Sequence, residues 1–146
     1  MHLIYPVFAS VRGSIALFLL RLVTGAAFLF HGWPKILNPF GWMGPDAPVP
    51  GILQALAAVC EFVGGIGLIV GILTPLFSLL LAGVMLVAIT QVHLKAGDPF
   101  VASAPGQHSW ELAAVYLVIV VTLLLLGPGK LSVDAFLFNR PPKPPI

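Results

Sequence analysis

Six ionisable side chains stand in places where an apolar chain rarely carries them: Arg21, His31, Lys35, Glu61, His93 and Glu111. The plainest case is "LAAVCEFVGGIGLIVG", residues 56–71, in which Glu61 is the sole ionisable acid. A carboxylate in such a run can accept hydrogen bonds, hold a proton or grip the polar end of a ligand. Arg21, Thr24, Phe28, His31 and Lys35 recur at three-and-four spacing, so they share one helix face. Thr90, Gln91 and His93 close a later apolar run, and His108 and Glu111 stand one turn apart at the start of the next. The chemistry open to this set is hydrogen bonding and proton transfer, since imidazoles change charge near neutral pH.

Other chemistries fit less well. His31, Glu61, His93 and Glu111 offer nitrogen and oxygen ligands, but helix-bundle di-iron sites need Glu-x-x-His on two helices. This chain has one reversed His-x-x-Glu, at 108–111, so no metal is expected. The single cysteine, Cys60, excludes an internal disulfide and a multi-cysteine metal site. "GPGKLS" fails as a phosphate loop because Leu131 follows Lys130. The glycines of 64–71 fail as a dinucleotide fingerprint because position 70 is Val. No covalently bound cofactor is therefore expected. Each polar residue also has a plain structural reading. Glu111 suits the dipole of a helix's first turn, and His93 and His108 suit an interface.

The elements that must position these residues follow from composition. Only 8% of the 146 residues are charged and 59% are hydrophobic; soluble domains carry about 25% charged residues. Twelve charges cannot clothe a soluble surface, so the expected solvent is the lipid bilayer. The net charge of +2 is too small and scattered for nucleic acid. Spanning a bilayer takes about 20 apolar residues in helix. Four such runs are present, at about 14–33, 52–72, 75–94 and 109–127. Thr74 and Pro75 open the third as N-cap and first helical residue. Period-2 alternation is missing, which excludes a barrel. The expected fold is an all-α membrane protein, a four-transmembrane-helix antiparallel bundle. It should form one domain over 1–138 with a disordered Pro-rich tail at 139–146. The N-terminal stretch reads as retained rather than as a cleaved signal. Four prolines follow Pro34 in the 34–51 loop, which also carries Trp42 and Met43; it should lie on the membrane as a cap.

Arg12, Lys130, Arg140 and Lys143 oppose Lys35 and Lys95, so both termini should be cytoplasmic. Arg21 and Glu61 then fall within roughly 6 Å of each other in depth. The economical expectation is a direct Arg21–Glu61 hydrogen bond; the alternative is a protonated Glu61. His31, His93 and Glu111 would gather at the outer end above Glu61, roofed by residues 34–51, with Trp33 and Trp42 nearby. Gly67 and Gly71 form GxxxG, read as tight packing rather than dimerisation. His2 and Asp134 would belong to the opposite face.

Four segments in order, "RLVTGAAFLFHGWPKI", "EFVGGIGLIVGILTPL", "MLVAITQVHLKAG" and "ELAAVYLVIVVTLLLLGPGKLSVDAFL", resemble the DoxX family of small bacterial membrane proteins. The resemblance runs over about 15–138. It implies a four-helix bundle in the bacterial inner membrane. It also implies kinship with DoxD-like subunits linked to thiosulfate:quinone oxidoreduction and with members of oxidative-stress complexes. Arg21, His31, Gly32, Lys35, Glu61, Gly65, His93, Glu111 and Asp134 match the family's recurring polar and glycine positions. The function so implied is the membrane subunit of a redox system. It would bind a quinone or similar lipophilic molecule through Arg21, His31, Lys35, Glu61, His93 and Glu111. Electrons would come from a soluble or membrane redox partner protein or from the substrate, and a homo-oligomer is compatible. A non-catalytic scaffold that docks partner proteins is the alternative, with a small transporter third.

Overall fold

The computed structural model describes residues 10–138; His2, Arg140, Lys143 and the tail at 139–146 lie outside them. The described residues are all helical or loop. Helix α1 is Val11–Leu37, α2 Gly51–Val70 and α3 Thr74–Val87. A π-helical segment, Ala88–His93, and the short α4, Leu94–Ala96, prolong α3 into one rod. Helices α5, Glu111–Leu126, and α6, Val133–Phe138, follow. Three rods are long and apolar enough to cross a membrane: Val11–Leu37, Gly51–Val70 and Thr74–Ala96. The fourth, α5, is a shorter apolar helix of 16 residues. Together they form a helical membrane bundle, whose exposed Leu, Val and Phe side chains meet lipid instead of water.

Local chemistry sets the boundaries. The Ser10 hydroxyl caps α1 by accepting the Gly13 N–H at 3.2 Å. Helix α1 runs on through Pro34 to Leu37, which keeps Lys35 on the helix. Helix α2 stops at Gly71, whose φ of 75° is left-handed and suits glycine. Thr74 does not cap α3: its hydroxyl has no hydrogen-bond partner. The capping acceptor comes instead from far along the chain. Asp134 takes the Leu73 and Thr74 N–H groups at 2.8 and 2.9 Å.

Close approach of α1 and α2 fixes their register. A Cβ at Gly25 would stand 2.7 Å from the Gly65 carbonyl oxygen, and one at Gly32 would stand 2.5 Å from the Phe62 nitrogen. Gly25 therefore faces Gly65, and Gly32 faces Glu61 and Phe62. Gly67 is filled against the Phe77 ring of α3, 2.3 Å from where its Cβ would be, so it serves packing within the chain. Leu17, Phe28, Leu68, Leu81, Val120 and Leu123 form the core between these helices.

Candidate functional site

The glycine register separates the two buried charges that the sequence placed together. Side chains of a helix lean toward its N-terminus. Helices α1 and α2 are antiparallel, so Arg21 and Glu61 lean in opposite directions along the bundle. Arg21, fully buried, donates from Nη1 to the Leu68 carbonyl at 3.3 Å and from Nη2 to the Leu131 carbonyl. It lies toward the end of the bundle that holds Asp134, Gly71 and the two termini of the described chain. Glu61 leans toward the opposite end, where the 38–50 and 97–110 loops lie. The expected Arg21–Glu61 bond is absent, and Arg21 lines neither of the two cavities beside Glu61.

Lys35 is the partner of Glu61. It sits fourteen positions beyond Arg21 on α1, and its side chain leans back into the membrane. Its ammonium donates to both carboxylate oxygens, at 2.7 Å to Oε1 and 2.6 Å to Oε2. The Glu61 side chain is 3% exposed and that of Lys35 20%. The Trp42 ring covers the ammonium, 4.4 Å from Nζ to its centroid, a cation–π contact. Trp42 is itself held: its indole N–H donates to the Gln54 carbonyl at 3.1 Å. The Gln54 side chain accepts the Met43 N–H at 3.1 Å and donates to the Val49 carbonyl at 2.8 Å. One buried glutamine thus ties the capping loop to α2 at Met43 and Val49.

Two cavities adjoin the ion pair. One, of about 330 Å³, lies between α2 and α3 under the capping loop and is almost wholly apolar. Leu53, Cys60, Leu80, Val84 and Val87 line it, with Trp42 and Met43 above. The other, of about 260 Å³, lies between α1, α3 and α5. His31, His93, Ser109 and Tyr116 set polar groups into a lining that Phe28, Met85, Leu112 and Ala113 otherwise make apolar. Lys35, Glu61 and Ala88 line both cavities, so the ion pair stands in the wall between them.

The second cavity has further order. His93 Nδ1 lies 2.7 Å from Asp98 Oδ2. The His31 ring meets Tyr116 edge-on, with centroids 6.3 Å apart. The π-helical segment that carries His93 begins at Ala88, one of the three residues shared by both cavities. Such segments are rare and recur at functional sites.

The remaining site candidates fall elsewhere. Glu111 is exposed in the first turn of α5 and lines neither cavity. Trp33 packs on Phe62, centroids 5.7 Å apart, and lines neither cavity beside the ion pair. Sequence reasoning missed Gln54, Asp98 and Tyr116. Gln54 had a signal, a lone amide inside an apolar span. Among the described residues no group of three or more His, Cys, Asp or Glu is placed to hold a metal ion.

The family model for DoxX matches residues 16–94, from α1 through the π-helical segment. The chain belongs to the DoxX family. Relatives extend the likeness over more of the chain. CatD of Bacillus subtilis, whose name assigns it provisionally to the oxidoreductases, is 31% identical over 132 residues, covering 86% of this chain and 90% of CatD. An uncharacterized protein of Haemophilus influenzae is 30% identical over 83% of this chain and 90% of its own. The inner membrane protein YqjF of Escherichia coli is 27% identical over 87% of this chain and 95% of YqjF. No solved structure matches the chain.

Proposed function

We propose that this DoxX chain is the integral membrane subunit of a redox system, and that the apolar cavity between α2 and α3 takes a quinone or similar lipophilic molecule. The observation that carries this reading is the Lys35–Glu61 pair set into the wall of that cavity. Ligand sites are mostly apolar with few polar groups, and they start at about 300 Å³. A cavity of about 330 Å³ suits a ring-sized head, and its lipid side leaves a tail in the bilayer. A lipid-soluble quinone would supply electron acceptance together with proton uptake at its carbonyl oxygens. The chain's own residues would do the rest. Lys35 donates toward a carbonyl oxygen, Glu61 holds or releases a proton, and Trp42 and Met43 close the roof against water. The oxidoreductase in the name of CatD agrees with this assignment, and the name of YqjF with a place in the inner membrane. The Lys and Arg bias supports an orientation with the loop end outside and both termini cytoplasmic.

The test is binding of a short-chain quinone to the protein in lipid nanodiscs, read by tryptophan fluorescence. Saturable quenching is expected. Trp42→Phe should reduce the signal more than the affinity, and Glu61→Gln should weaken affinity by about tenfold, the equivalent of roughly 1.4 kcal/mol. Quenching that never saturates, or that ignores Glu61→Gln, overturns the assignment.

A further inference from the structure

The two cavities share a wall but not a chemistry. The larger is apolar and lies between α2 and α3 among exposed apolar side chains such as Leu53, Leu79 and Leu80. The smaller carries two imidazoles, a phenol and a serine hydroxyl, and lies beneath the loop end. Its mouth is marked by Ser109, before α5, and by the His93–Asp98 contact, where α3's rod meets the 97–110 loop. A site holds water when it is polar and roomy. At about 260 Å³ the smaller cavity has space for several molecules, each needing about 30 Å³.

We propose that the Lys35–Glu61 pair partitions two solvents, and that the smaller cavity is a water-filled proton path from the loop end to Glu61. This rests on the quinone reading in one respect: Glu61 is the group at which that chemistry would draw its proton. The ionisable groups facing Glu61 are few. Helix α1 supplies Lys35 and His31, the π-helical segment supplies His93 with Asp98 behind it, α5 supplies Tyr116, and Glu61's own helix supplies Cys60. A proton from outer water binds the His93 imidazole, which Asp98 holds in orientation. It leaves His93 along water and joins the Glu61 carboxylate. The pair thereby gains one positive charge, and Trp42 keeps the ammonium of Lys35 supported while Glu61 is neutral. Intramembrane carboxylates and imidazoles recur in proton relays for this reason. The π-helical segment matters because it begins at the shared wall and ends at His93.

Two measurements test the path, both without quinone, so they can fail independently of the quinone reading. The first uses the chain's one cysteine. Cys60 lines the apolar cavity. In nanodiscs a membrane-permeant maleimide should label Cys60, and a charged, water-soluble thiosulfonate should not. In a Cys60→Ser background, Ala113→Cys places the thiol in the polar cavity, one turn below Ser109. The charged reagent should label it. Ser109→Cys, at the mouth, should react at least as fast, and a melting temperature equal to the parent's shows that the background folds. Equal labelling of Cys60 and Ala113→Cys by the charged reagent, or none at Ala113→Cys while Ser109→Cys reacts, overturns the partition. The second follows the Glu61 infrared band, assigned by its loss in Glu61→Gln, after a pH jump. His93→Ala should slow the change on the order of tenfold or more. His108→Ala, outside both cavities, should leave it unchanged. A rate indifferent to His93, or a Glu61 that never changes protonation state, overturns the proton path.

Discussion

The two ends of the bundle bury charge in opposite ways. At the end near the termini, Arg21 and Asp134 are both fully buried, and each spends its hydrogen bonds on backbone. Arg21 donates to the Leu68 and Leu131 carbonyls. Asp134 accepts from Leu73 and Thr74, and its own N–H donates to the Gly71 carbonyl at 2.9 Å. The knot joins α1, the α2–α3 turn and the segment before α6, and neither cavity beside the ion pair reaches it. At the loop end, Lys35 and Glu61 bond side chain to side chain and face a cavity on either side. Bonds to backbone lock a fold, because the backbone cannot turn away. Bonds between side chains beside open space can be exchanged for bonds to a ligand. The first arrangement is structural and the second is available for chemistry.

The largest effect should come from breaking the knot. Asp134→Ala strips the acceptor from two backbone N–H groups and the nearby countercharge from Arg21. Losing one partner of a buried charged set costs about 3–5 kcal/mol, so the melting temperature in nanodiscs should fall on the order of 10 °C. Gly71→Ala should act in the same direction. Its φ is 75°, and a Cβ there would stand 1.8 Å from Arg21 Nη1. If either variant melts like the parent, the knot does not hold the fold.

A smaller effect sharpens the comparison, through double-mutant cycles. Lys35→Met and Glu61→Gln should couple by about 1–3 kcal/mol, as residues in direct contact do. Arg21→Met and Glu61→Gln should be additive within about 0.5 kcal/mol, as distant residues are. Strong coupling of Arg21 to Glu61 would undo the separation of the two ends. Gln54→Leu comes next. It frees Met43 and Val49 without touching the ion pair, so quinone affinity should fall several-fold with little loss of thermal stability.

The sequence told a great deal about the bundle and half the story of the site. Four apolar runs, bounded by Gly and Pro, are enough to read four helices, because a bilayer leaves the backbone few choices. Glu61 stood out for the same reason. Its partner did not, because pairing depends on register and register was written in glycines. Gly25, Gly32 and Gly65 are visible in the sequence, but which faces which emerges only from packing. The lean of side chains toward each helix's N-terminus then sends Arg21 one way and Glu61 the other. Asp134 was invisible as a cap, since its acceptors' partners lie sixty residues earlier in the chain. Glu111 misled for a local reason: one helical turn places it near His108, but α5 turns that face outward.

Glu111 gives the smallest expected effect and marks where the site ends. It sits in the first turn of α5, where a carboxylate interacts favourably with the helix dipole by about 0.3–1 kcal/mol. Its side chain is exposed and contributes to neither cavity wall. Glu111→Gln should therefore lower the melting temperature by a few degrees at most, and only at low salt, because exposed electrostatics are screened. Quinone affinity should stay within twofold of the parent, and the rate of Glu61 protonation should not change. Lys35→Met in the same membrane should instead abolish tight binding. If Glu111→Gln instead weakens quinone binding tenfold, the polar cavity extends past Ser109 to the first turn of α5. The boundary between the chemical end and its solvated rim would then lie one turn further out than the walls of the cavity show.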